Sequence, residues 1–119
     1  MHRIPKSIDL TPLLGLEVMQ IAISQNEVIF RLHPEGEIRL EGAWILKRGD
    51  KTVIDRSMEH AKRDAWCVHE ILGNKITRCV VRDERHLEVH FADAVLEIED
   101  DSDYYETFAI EHSALKLYV

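Results

Sequence analysis

His86, Glu88 and His90 alternate with the apolar Leu87, Val89 and Phe91, so on a strand the three polar side chains share one face. Two imidazoles at that spacing, with a carboxylate between them, could hold a divalent metal ion through nitrogen and oxygen. The same alternation is also the pattern of an ordinary solvated strand face, and a working centre needs a further ligand and supporting hydrogen bonds that no neighbouring motif supplies. Cys67 and His69 add nothing, because residues two apart on a helix do not share a face. Asp100, Asp101, Asp103 and Glu106 are dense enough in oxygen for calcium, yet the glycine and ligand spacing of an EF-hand loop are missing. Ser7, Ser24, Ser57, Ser102 and Ser113 lie in no G-x-S-x-G turn, and neither a P-loop nor a G-x-G-x-x-G turn occurs. No cofactor is expected, and the balance is against an enzyme.

A different kind of chemistry is written into Glu97 to Glu106. Six carboxylates surround Tyr104 and Tyr105 with no Lys or Arg among them. Tyrosine offers rigid contact area with a polar tip, and clustered carboxylates steer a basic partner. Asp100, Asp101, Asp103, Tyr104, Tyr105 and Glu106 are therefore the expected partner-binding residues. The competing reading is a solvated acidic loop that keeps the chain soluble.

The histidine row lies within an internal repeat, and the acidic segment begins at its end. Leu14-Gly15 followed by Val18, Ile21 and Ile23 returns 58 positions later as Leu72-Gly73 followed by Ile76, Cys79 and Val81. Two alternating segments follow in each copy: Val28, Phe30, Leu32 then Ile38, Leu40, and Leu87, Val89, Phe91 then Leu96, Ile98. The expected fold is α+β and β-rich: a single domain, 1–119, with three-stranded antiparallel meanders at about 13–42 and 71–100. The apolar spacing changes parity between Val18 and Ile21 and between Ile76 and Cys79, which predicts a bulge in both copies. Strands are also expected at 43–47 and 51–55, around the turn Arg48-Gly49-Asp50, and at 107–110 and 115–119. Met58, Ala61, Ala65, Val68 and Leu72, spaced 3, 4, 3 and 4, predict one central helix over about 57–72, capped by Ser57 and ended by Gly73. Thr11-Pro12 predicts a short helical turn before the first meander. Trp44 and Trp66, each in an apolar segment, are expected in or beside the core.

With 119 residues, 45% hydrophobic and 31% charged, the composition is that of a globular domain that can build one core. No apolar run approaches the roughly 20 residues of a spanning helix, and Met1 to Leu14 lacks the apolar stretch of a secretory signal, so no membrane role and a cytoplasmic location are expected. Cys67 and Cys79 are read as free thiols. Residues 1–85 hold 14 basic and 13 acidic side chains, while residues 86–119 hold one basic and nine acidic. That concentration of negative charge disfavours nucleic acid and favours a basic protein.

Leu13-Leu14-Gly15 with Val18, the strand pair ending at Ile38 and Leu40, Ile71-Leu72-Gly73, the strand of Leu87, Val89 and Phe91, and Tyr105-Glu106 with Phe108 and Ile110 together resemble a family of small bacterial domains of unknown function. The match runs over most of the chain and implies a fold but no activity. Ala94 stands where that pattern has a turn glycine, and no glycine lies near Ser113. In size, charge and lack of catalytic residues the chain also looks like the immunity proteins that neutralise bacterial toxins. The leading expectation is thus a protein-binding module, an immunity protein whose partner is a basic protein such as a secreted toxin domain. The alternatives are a metal-binding or metal-dependent protein using His86, Glu88 and His90, and a structural module that forms homo-oligomers through an edge such as Leu115 to Val119.

Overall fold

The computed structural model describes residues 3–49, 51–54 and 65–119. Ten strands account for about half of them: β1 (Glu17–Ile23), β2 (Val28–His33), β3 (Glu37–Leu40), β4 (Ala43–Arg48), β5 (Lys51–Ile54), β6 (Arg78–Asp83), β7 (His86–His90), β8 (Val95–Glu99), β9 (Phe108–His112) and β10 (Leu115–Tyr118). Alternation decides which way the side chains face. In β2 Val28, Phe30 and Leu32 are buried while Ile29 and Arg31 lie at the half-covered outer face, and in β8 Leu96 and Ile98 are buried between Val95, Glu97 and Glu99.

Two antiparallel five-stranded sheets result, ordered β1-β2-β3-β9-β10 and β5-β4-β8-β7-β6. Each meander stays whole, but the hairpin after it crosses to the other copy. The β4–β5 hairpin follows the first meander and pairs with β8 of the second; β9–β10 follows the second and pairs with β3 of the first. The exchange keeps register with the repeat. Trp44 lies opposite Ile98, and Phe108 opposite Leu40, the residue 58 positions before Ile98. Trp44 and Phe108, both 1% exposed, thus fill corresponding places in the two halves. The inner faces of both sheets contribute to one continuous core, from Val28, Phe30 and Ile110 on one side to Leu46, Val89 and Leu96 on the other.

The copies also meet directly. The amide of Gly15 donates to the carbonyl of Ile76 and that of Gly73 to Val18, both at 2.8 Å; Val18 donates to Asn74 at 3.0 Å and Ile76 to Leu16 at 2.9 Å. Moving each first-copy residue forward by 58 and each second-copy residue back by 58 turns one bond of either pair into the other, so the contact has the reciprocity of a two-fold axis.

Two expectations need correction: the described residues form an all-β fold of two antiparallel sheets rather than an α+β one, and the second bulge is displaced. No α-helix occurs among the described residues; the predicted central helix is replaced over Ala65–Ile71 by a 3-10 turn of seven residues, and its first part, 57–64, lies outside the described residues, as do the Trp66 and Cys67 side chains. The apolar phase explains the difference: Val68 and Ile71, three apart, are buried, while Leu72, expected in the stripe, is 45% exposed. A three-residue period is that of a 3-10 turn. The expected bulge is found between Val18 and Gln20, but in the second copy the register shifts between Val81 and Asp83. Ile76 precedes β6 there and pairs with the first copy instead.

Candidate interaction surface

The segment from Asp100 to Thr107 carries the chain from β8 in one sheet to β9 in the other. A crossing loop must satisfy its own polar groups, and this one does so from its ends inward. The Asp100 amide donates to the carbonyl of Arg85 at 2.7 Å, and the Thr107 amide donates to the carbonyl of Val119 at 2.6 Å. The Asp100 side chain is 1% exposed. Its Oδ2 accepts from Nη1 of Arg3 at 2.9 Å, and its Oδ1 lies 3.2 Å from the Thr107 hydroxyl and 3.4 Å from the Ser102 amide. Oδ1 of Asp103 accepts from both Arg3 and Arg85. The Arg85 guanidinium, then that of Arg3, holds the Asp103 carboxyl below the usual carboxylate range.

Ser102 completes the frame, its Oγ accepting from the amides of Tyr104 and Tyr105, each at 3.0 Å. The two tyrosine side chains point away from all of this: Tyr104 is 84% and Tyr105 73% exposed. Asp101 and Glu106 are exposed beside them. Tyr118 of β10 is 40% exposed, its hydroxyl donating to Glu111 at 3.2 Å. Desolvation, then Glu111 and more distantly Glu106, pushes its phenol up.

The six residues expected to bind a partner therefore divide. Asp100 is a buried anchor and Asp103 is neutralised by two arginines, which leaves Asp101, Tyr104, Tyr105 and Glu106 as the exposed surface. Arg3, Arg85, Ser102 and Tyr118 were not signalled by sequence, since the two arginines lie 100 and 18 positions from Asp103.

His86, Glu88 and His90 do lie on the outer face of the second sheet, where they do not converge. Nδ1 of His86 is 2.7 Å from Asp83 and its Nε2 is 3.4 Å from Glu99, whereas Nε2 of His90 is 2.8 Å from Glu88. Glu88 is held by Arg82 at 2.6 and 3.1 Å, and that guanidinium is the main reason its carboxyl titrates below the usual range. Among the described residues no group of three or more His, Cys, Asp or Glu side chains is placed to hold a metal ion. An open cleft of about 420 Å³ beside this row is lined by Ile45, Arg82, His86, Glu88, Glu97 and Glu99 among others. Charges along it are cross-paired: Arg82 with Glu88, His86 with Glu99, and Glu97 with Lys47 at 3.2 Å.

Ser113-Ala114-Leu115-Lys116 has the spacing of a serine–lysine pair, but it spans a hairpin turn rather than a helix. The hydroxyl of Ser113 donates to Glu35 at 2.6 Å. Among the described residues no helix is long and apolar enough to cross a membrane.

Comparison with family models, with curated proteins and with solved structures returned no match to this chain.

Proposed function

We propose that this chain is a protein-binding module that contacts a basic partner through Tyr104 and Tyr105, with Asp101 and Glu106 at the rim. The observation that carries this reading is the pairing of two highly exposed tyrosines with a loop held through the amides of Asp100, Ser102, Tyr104, Tyr105 and Thr107. An ordered loop loses little entropy on binding, and tyrosines presented in that way supply contact area at low cost. The net charge of −7, concentrated in the last third of the chain, supports a partner of positive charge. A toxin-neutralising immunity protein is the member of this class we favour, because inhibition by surface contact requires no catalytic residue of its own.

The test is affinity capture from lysate of the source organism with the wild-type chain and with Tyr104→Ala/Tyr105→Ala, at low and high salt. A basic protein held stoichiometrically by the wild type, released by salt and lost with the double substitution, is the expected result. Capture that is indifferent to both tyrosines removes this surface from the account.

A further inference from the structure

The tyrosine side chains take no part in anchoring their own loop. That task falls on a chain of contacts that begins at the other end of the sequence. Ile4 is 2% exposed, and its amide donates to the carbonyl of Glu84 at 2.9 Å, which fixes the N-terminal arm beside the turn between β6 and β7. From that anchorage Arg3 reaches Asp100 and Asp103 with separate nitrogens of its fork. Asp100 contacts Ser102, and Ser102 receives the amides of both tyrosines. Arg85, on the β6–β7 turn, backs the arrangement by bonding Asp103 and the carbonyl of Asp100.

We propose that Arg3 is a positioning residue for the tyrosine surface, and that the N-terminal arm is a clasp that keeps the loop in its contact-ready shape. This inference rests on reading that surface as the contact site. Without Arg3 the nearly buried Asp100 carboxylate loses the cation bonded to it. The least costly relief is for the carboxylate to turn toward water, which breaks its contacts with Ser102 and Thr107 and frees the segment that carries both tyrosines. Arg85 bonds Asp100 at the backbone carbonyl, so it leaves a charge near the carboxylate but no hydrogen bond to hold its orientation. Anything that withdraws the arm, such as proteolysis or a competing partner for Arg3, would then weaken partner binding without touching a contact residue.

Amide hydrogen exchange on the full chain tests this directly, comparing wild type, Arg3→Gln and Arg3→Lys. The amides of Tyr104 and Tyr105 in Arg3→Gln should exchange about tenfold faster while those of β7 and β8 keep their wild-type rates. Arg3→Lys, which keeps the charge but not the two-pronged fork, should fall between. Unchanged tyrosine amides in Arg3→Gln would overturn the clasp, and so would equal acceleration in β7 and β8, because Arg3 would then serve global stability alone. The measurement needs no partner, so its failure is distinct from failure of the tyrosine surface, which the capture experiment reads separately.

Discussion

Gly15 and Gly73 each give their amide to the opposite repeat, to Ile76 and Val18 respectively, at the same distance of 2.8 Å. Both sit at positive φ, 83° and 82°, and a Cβ at either would meet no atom within 4 Å. An alanine there costs only the left-handed backbone, roughly 1–2 kcal/mol. Gly15→Ala and Gly73→Ala should therefore destabilise by similar amounts in urea unfolding. A cost at one position several times that at the other would mean that the symmetry of the contact is not a symmetry of energy.

Gly42 presents the opposite case. Its φ is unremarkable for any residue, but an added Cβ would lie 2.8 Å from Oδ1 of Asp101 and 2.8 Å from Cβ of Thr107. Gly42→Ala should cost about 1–3 kcal/mol by overpacking, and should disturb the tyrosine loop where it joins β9. Unfolding midpoints and the chemical shifts of residues 101–107 would show both effects.

Removing the carboxylate of Asp100 should be far more costly than removing that of Asp101. Asp100→Ala leaves Nη1 of Arg3 and the Ser102 amide without their acceptor and the Thr107 hydroxyl with the Val119 carbonyl alone, and a loss of about 3 kcal/mol is expected. Asp101→Ala, at an exposed position, should stay within about 0.5 kcal/mol. Paired denaturation curves distinguish the two, and equal costs would contradict the division of the loop into anchor and surface.

Acid should loosen the ionic frame in a defined window. Asp103, Asp83 and Glu88 titrate below their ordinary values of 3.8, 3.8 and 4.5, held down chiefly by Arg85, His86 and Arg82. Carboxyls depressed in the fold contribute stability that is complete above those ordinary values and is lost as pH falls through the lower folded ones. Stability should thus be level in these groups above about pH 5 and decline below about pH 4. In Asp103→Asn the decline should be shallower, as read from urea midpoints across the series.

Burial pushes the Cys79 thiol up to about 11, so little thiolate exists at neutral pH. Alkylation of Cys79 by iodoacetamide, followed by peptide mass spectrometry, should be slow in the native chain and fast in denaturant. Rapid native labelling would place that thiol nearer water than the fold allows.

Much of this architecture is legible from residue order. Period-two alternation marks the strands at Val28–Leu32, Leu87–Phe91 and Leu96–Ile98, because in a half-buried sheet each inward residue must be apolar. What alternation does not carry is the identity of the neighbouring strand: nothing in Ala43–Arg48 states that it joins β8 of the other repeat. The helix reading failed because Met58, Ala61, Ala65, Val68 and Leu72 fit an α-helical stripe, whereas Val68 with Ile71 fits a 3-10 turn, and only packing chooses. At the surface, Tyr104 and Tyr105 were found from their acidic surroundings. The separation of Asp100 and Asp103 from Asp101 and Glu106 was not, since it depends on Arg3 and Arg85, brought in by long-range folding.

The most direct test of the tyrosine surface is a photo-cross-linking residue placed at Tyr104 and, as control, at Lys116 on the exposed face of β10, with irradiation in cells of the source organism. The account predicts one discrete adduct with a basic protein from position 104 and none from 116, and its yield should fall when Arg3 is changed to Gln. Equal labelling from both positions, or no adduct from 104 while the protein is folded and abundant, would contradict it.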